Sequence, residues 1–502
     1  MAPLLLQAVF LPIILSFIVY LVGRRVGGKV GWLSFIILLY STLLILLAAS
    51  MGPEYLEQYP WQPIGIFGLK IDGLSLPFAA TIYLLSTVLA VYSIPYMEHR
   101  VEEMAEEEGK GEDYVKGRLA LYHLLYLIYA AGMLGTVLST NLIQFYIFFE
   151  IMLIPSFFLI SEFGYGDRAR ISLMYFLWTH VGALILLAGI LSIGILVGSF
   201  DFSVVAASRL PLTVTLWVAV AITIGLFVKL AAFGLHIWLP YAHAEAPTPI
   251  SALLSPAMIG IGGYAFIRIL LFLLPEAYQT VTLGAAIWGL VTMIYGGLMA
   301  LMQDDIKRLL AYSSVSQMGY IIFGMASAYY LGVSGSVFQY VSHGTGKAML
   351  FMVAGAIILQ TRGVRSISHM GGLAGKLPLT AIGAMLGFLT IIGVPPLNGF
   401  QSEWMLFAGA IAGARALGSD LRFTISILAL LSTPLTAGYT LWAMKRIFFG
   451  PRPEEMERVR EAPPTVTIPI LFLAFVGLIL GVYPALITER LIPLMRIAFG
   501  VG

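Results

Sequence analysis

Runs of roughly twenty apolar residues recur from one end of the chain to the other, and this repetition limits the fold more than any other feature. Mean hydropathy is +0.93, and of the 502 residues 59% are hydrophobic and only 11% charged. Inside a bilayer the backbone finds no water to bond, so each run must close its own hydrogen bonds, and unbroken apolar length without alternation selects helices. The expected fold is all-α: a polytopic membrane domain with fourteen spans near 4–22, 31–50, 74–94, 119–139, 141–161, 171–198, 211–239, 247–275, 281–301, 307–329, 333–360, 377–415, 422–446 and 466–490. The 377–415 stretch is too long for one straight helix. Leu4 to Leu21 has no basic leader and no small-residue cleavage site, so it is read as a retained helix.

Charge supports this count. With alternate connections assigned to opposite faces, 19 of the 28 basic residues fall on one face, six on the other and three within spans. The positive-inside rule then places both termini outside the cytoplasm of a multi-pass cell-membrane protein. A net charge of +2 argues against a nucleic-acid partner. The largest polar insertion, Glu98 to Arg118, holds Glu102, Glu103, Glu106, Glu107 and Glu108 and reads as a solvated cytoplasmic loop with a helical stretch, or as a docking surface for a soluble partner. Zero cysteines exclude disulfides, cysteine-ligated zinc and iron–sulfur clusters, so any such redox centre must sit on another subunit.

Prolines interrupt the apolar pattern at His236-Ile-Trp-Leu-Pro-Tyr-Ala-His243-Ala-Glu-Ala-Pro247 and at Gly393-Val-Pro395-Pro396-Leu-Asn-Gly399. Each proline removes a backbone donor, so unwound chain is expected at both places, buried in protein or beside water. The breaks lie at comparable positions in two blocks of about five spans each, 119–275 and 281–446, flanked by an N-terminal segment 1–118 and a C-terminal segment 447–502. An odd number of spans between equivalent elements would make the blocks an inverted pair.

Titratable residues stand inside these spans: Glu150, His180, Lys229, His236, His243, Glu245, His343, Lys347 and Glu403. Charges at bilayer depth are costly enough that they face a partner, a water-filled cavity or an ion path. Glu150 and Lys229 invite two readings, a neutralising pair or a transport couple. Lys229 and His236 are seven residues apart and would share a helix face, as would His343 and Lys347 at a spacing of four. His180 has a packing role as its alternative, His243 and Glu245 a capping role near the cytoplasmic mouth, and Glu403 reads as an exit-side acid. Arg268 is expected to snorkel to the outer surface. Asp304 and Asp305 suit a helix start, and the following Tyr-Ser-Ser-Val-Ser-Gln run can hydrogen-bond across helices or hold water.

These residues carry a specific resemblance. The ordered set Ile71-Asp72-Gly-Leu-Ser, the Glu150 helix, His236-x-Trp-Leu-Pro-x-Ala-His243-x-x-Ala-Pro247, the Asp304-to-Gly319 segment and His343 with Lys347 resembles the antiporter-like proton-channel subunits of respiratory complex I. It equally resembles the D-type subunits of Mrp cation/proton antiporters and their counterparts in archaeal membrane-bound hydrogenases, over nearly the whole fourteen-helix core. The resemblance implies two inverted five-helix repeats with broken seventh and twelfth helices. It also implies a midplane axis with Glu150 as acidic switch beside the next subunit, Lys229 as its partner, His343 and Lys347 as middle relay and Glu403 as terminal acid. The function implied is an ion-translocating subunit, for protons or sodium with protons, of a redox-driven complex. Its partners would be other antiporter-like and small membrane subunits, lipid and a peripheral redox module holding the iron–sulfur and other centres, with no cofactor on this chain. An Mrp D-type subunit without a redox module and a structural membrane subunit are the alternatives. One departure stands out: relatives commonly place a Lys where this chain has Gly260, four residues before Tyr264, so a relay step would pass to water, His243 or His180.

Overall fold

The computed structural model describes residues 3–501. Among them, eleven helical stretches are long and apolar enough to cross a membrane, from Leu4–Ser50, which turns over once at Gly27, to Pro464–Val482. The Ile306–Met325 helix falls outside this set because its serines and Gln317 lower its hydropathy, yet it is among the most buried elements. Small residues let these helices touch: a side chain on Gly289 would lie 2.7 Å from the amide of Phe323 on the facing helix.

The second break occurs where the prolines predict it. The 377–415 stretch resolves into Pro378–Ile392 and Asn398–Ala416, separated by a turn in which Gly393 takes φ 79°. The 211–239 stretch breaks earlier than expected. Its helix, Leu212–Lys229, stops at the lysine, and helical structure resumes only at Trp238–Glu245, with Ala231 at φ 50° and Gly234 at φ 83° between them. His236 therefore lies in unwound chain, and the expected shared face with Lys229 does not exist. Cooperative helix would have required residues 230–237 to keep helical dihedrals, which these left-handed positions forbid.

The all-α expectation holds, with one small addition, an antiparallel hairpin, Tyr55–Trp61 paired with Gly65–Ile71. From it the Glu57 carboxylate accepts the amides of Leu5 and Leu6, both at 2.9 Å, and caps the first helix. The acidic insertion is almost wholly helix: Ser75–Glu108 runs past the apolar stretch to Gly109 at φ 63°, and Glu112–Leu138 begins directly after. The 466–490 stretch divides at Tyr483-Pro484 into Pro464–Val482 and a separate helix, Ala485–Ala498, that buries Ile487, Leu491 and Met495 along one stripe.

Two ends of the bundle are distinct. The hairpin, the Ser139–Asn141 joint and Asp201 meet at one end through short bridges, and Asp305 meets Ser366 at the other. Asp305 caps the Ile306–Met325 helix by accepting the Arg308 amide at 3.0 Å, as its position suggests.

Candidate functional site

Glu150 is carried by the Leu142–Phe163 helix, whose start is fixed by Asn141: its side-chain oxygen accepts the amides of Ile143 and Gln144. The carboxylate is partly exposed at the edge of the bundle, with one oxygen 3.3 Å from Nδ1 of His180, on the neighbouring Arg168–Val197 helix. His180 stacks on Phe176 with ring centroids 5.3 Å apart. Lys229 is buried at the last position of its helix, where the negative helix end favours a cation. Its ammonium lies 5.0 Å from the centroid of Phe149 and has no hydrogen-bond partner in the protein. No direct Glu150–Lys229 ion pair forms among the described residues, where the basic group beside the acid is His180.

In the first break His236 packs 4.8 Å from the Tyr295 ring, and His243 is fully buried beside Phe351 with both ring nitrogens unpartnered. The capping role weighed for His243 and Glu245 belongs instead to Lys307. Counted from sequence among the surface bases, Lys307 is buried, and its ammonium donates to the carbonyls of Ala244 and Ala246 where the short Trp238–Glu245 helix ends. A lysine filed between Ile306 and Arg308 at a helix start gives no sequence signal of this.

In the second half, His343 and Lys347 share the buried Tyr330–Gln360 helix, as their spacing predicts. Lys347 donates to Ser313 Oγ and to the Leu310 carbonyl at 3.2 Å, so the polar Ser-Ser-Val-Ser-Gln run does reach across helices. A chain of amides continues it: Gln339 Nε2 donates to Gln317 Oε1 and Ser402 Oγ to Gln339 Oε1, each at 2.6 Å. Asn398, beside the second break, donates to Thr345 at 3.0 Å. Glu403 stands one residue beyond Ser402, and one of its buried oxygens has no partner. Sequence reasoning named Gln317 but missed Gln339, Ser402 and Asn398, because uncharged polar residues in apolar runs are common helix glue.

Glu150, Lys229, His243, His343 and Glu403 thus each bury a polar atom that no protein group satisfies. Such atoms are expensive in a purely structural role, because a desolvated polar group without a bond loses free energy that packing does not return.

Two other expectations resolve here. Arg268 does not snorkel; it is buried and donates to Asp72 Oδ1 at 2.7 Å and to the Tyr264 hydroxyl at 3.1 Å. Gly260 faces the ring of Tyr340, which fills the space a side chain there would need.

Comparison with known proteins agrees with this architecture. Residues 139–429 match the family model described as NADH:quinone oxidoreductase/Mrp antiporter, transmembrane, and residues 61–104 match NADH-ubiquinone oxidoreductase (complex I), chain 5 N-terminus. The chain is 32% identical to F(420)H(2) dehydrogenase subunit M of Methanosarcina mazei, with all of both chains covered. It is 29% identical to NADH-quinone oxidoreductase subunit M of Rhodobacter capsulatus, covering 96% of this chain and 94% of that one. Among solved structures it superposes on a chain of respiratory complex I from Thermus thermophilus with TM-score 0.85 and 26% identity, covering 99% and 100% of the two chains. On a chain of the Mrp complex from Dietzia sp. the TM-score is 0.84 at 26% identity, covering 99% of this chain and 52% of that one. With a family model spanning more than half its length and a relative matched end to end, the chain belongs to the antiporter-like transmembrane subunits shared by NADH:quinone oxidoreductases and Mrp antiporters.

Proposed function

We propose that this chain is the ion-translocating membrane subunit of a multisubunit redox-driven pump, moving protons, with sodium–proton exchange as its variant. One observation carries the reading: titratable groups with unsatisfied buried atoms run from Glu150 to Glu403, through both helix breaks. Glu150 with His180 forms the acid at the bundle edge, where a neighbouring membrane subunit would sense or set its charge. Lys229, His236 and His243 line the first break, His343 and Lys347 the middle, and Glu403 the far end. The blocks 119–275 and 281–446 act as paired repeats, each contributing one broken helix. Redox centres belong to a peripheral module, and electron transfer there would drive protonation changes along this line through charge–charge coupling. Both termini lie on the outer side by charge distribution.

The test is proton and sodium flux in vesicles containing the intact complex and its reductant, compared with a Glu150→Gln complex. Flux that falls with assembly intact supports the assignment and identifies the ion. Normal flux in the variant refutes Glu150 as the switch.

A further inference from the structure

An apolar groove of about 300 Å³ runs between the Val30–Ser50 helix, the Ser75–Glu108 helix, the Tyr330–Gln360 helix and the last long span, Pro464–Val482. Leu43 and Leu47 on one flank and Phe475 and Leu478 on the other are exposed, so its mouth opens where hydrocarbon surrounds the bundle. Leu76, Ala80 and Leu84 line it as one stripe at four-residue spacing, and Val341 and Thr345 line its deep part. The hydroxyls of Thr42 and Thr345 in its wall donate to the carbonyls of Leu38 and Ser342, at 2.7 and 3.1 Å, so both are already satisfied.

From Leu76 to Leu84 the helix rises about 12 Å, starting at the hairpin end. One leaflet of a hydrocarbon core is about 15 Å thick, so the groove reaches across most of a single leaflet and stops. A neighbouring transmembrane helix would need a channel across both leaflets, whereas a single lipid chain is matched by one.

A charge stands at the shallow end. Arg490 lines the groove there, on the Ala485–Ala498 helix, which buries Ile487, Leu491 and Met495 on one face and exposes Glu489 on another, as a helix lying in the membrane interface does. This helix rests on the turn before Ser75, where a side chain on Gly73 would meet the Arg490 carbonyl. Nη1 of Arg490 donates to the carbonyls of Ala49 and Gly52, at 2.6 and 2.9 Å, which fixes the guanidinium plane. Among the described residues no protein acceptor takes Nε or Nη2. That free edge carries two parallel N–H groups, the geometry that grips two oxygens of a phosphate.

We propose that this groove binds a membrane phospholipid, with one hydrocarbon chain lying along Leu76, Ala80 and Leu84 and the phosphate held by the free edge of Arg490. Headgroup height and chain depth agree, since the arginine sits at the interface and the groove ends within one leaflet.

The probe is phosphatidylglycerol carrying a diazirine at the end of one chain, in vesicles holding the intact complex. After illumination, the labelled residues of this subunit are mapped by mass spectrometry. Label is expected at the deep end of the groove, on Leu84, Val341 or Thr345, beside the background on outward-facing Phe475. Ala80→Phe, which fills the middle of the groove, should lower the groove label severalfold and leave the Phe475 label unchanged. Groove label that is absent from the unmodified complex, or unchanged in Ala80→Phe, overturns the site.

Arg490→Gln tests the phosphate seat and should also lower the groove label severalfold. Because Arg490 fastens the second helix as well, the seat is read in the unmodified complex too. There, excess unlabelled phosphatidylglycerol should displace the probe severalfold better than diacylglycerol with the same chains. Unchanged label in Arg490→Gln, or equal displacement by the two lipids, overturns the phosphate seat.

Discussion

Gly260→Ala tests how the centre of the bundle is filled. A methyl carbon at this position would lie 2.5 Å from Cε2 of Tyr340 and closer still to Cδ2, whereas ordinary contact begins near 3.4 Å. The ring would have to withdraw by about 1 Å. It has nowhere to go, because Phe78 is stacked on it at 4.2 Å and its hydroxyl donates to the Ala257 carbonyl at 3.1 Å. Overpacking of this kind costs about 1–3 kcal/mol, and loss of the hydroxyl bond adds roughly 1 kcal/mol, so the variant should be about 2–4 kcal/mol less stable. The assay is unfolding of the purified protein in detergent, followed by tryptophan fluorescence, for Gly260→Ala, Tyr340→Leu and the double variant. The double variant should recover part of the loss, a coupling of about 0.5–3 kcal/mol between touching residues. A Gly260→Ala protein as stable as the parent, or strictly additive effects, would refute the steric account.

Asp72→Asn leaves the buried Arg268 without its carboxylate and should cost about 3–5 kcal/mol, whereas Arg268→Gln should cost less because Lys70 remains 3.8 Å from Asp72; denaturant midpoints of the two variants give the order. Asn141→Ala removes the cap of the Glu150 helix and should cost about 1 kcal/mol in the same assay. Outside the membrane, partial burial raises the Asp304 carboxyl, but hydrogen bonds from Ser366 and Ser368 and the nearby Arg446 outweigh it and hold the group below the usual carboxylate range. A depressed carboxyl stabilises the fold above its unfolded value, so this contact should weaken only as pH falls into the acid range below that value, and amide exchange of residues 366–368 in Asp304→Asn should lose that acid dependence.

The sequence made the helices, the place of the second break and the His343–Lys347 face legible, because apolar length, proline and four-residue spacing act locally. It did not reveal that Lys229 ends its helix: nothing between Leu230 and Leu235 forbids a helix by composition, and the left-handed turns at Ala231 and Gly234 are imposed by tertiary packing. The hairpin was hidden because its strands carry Pro60, Gly65 and Gly68, residue types depleted in strands. Arg268 and Lys307 illustrate a more general limit. A long basic side chain can snorkel or turn inward, and the choice depends on acceptors, Asp72 and the Ala246 carbonyl, that come from elsewhere in the chain.

The first two helices are completed by groups that the ribosome delivers late. The amides of Leu5 and Leu6 wait for the carboxylate of Glu57, some fifty residues on. The carbonyls of Ala49 and Gly52, where the second helix ends, are taken by Arg490, which follows 441 and 438 residues later. During synthesis the opening segment must therefore sit in the membrane with loose ends while the rest of the bundle inserts, and a chain stopped before Ala485 would leave that seam open. Closure of the second helix's end thus waits on Arg490 of the Ala485–Ala498 helix, so the two ends of the sequence are fastened to each other only once both are in place.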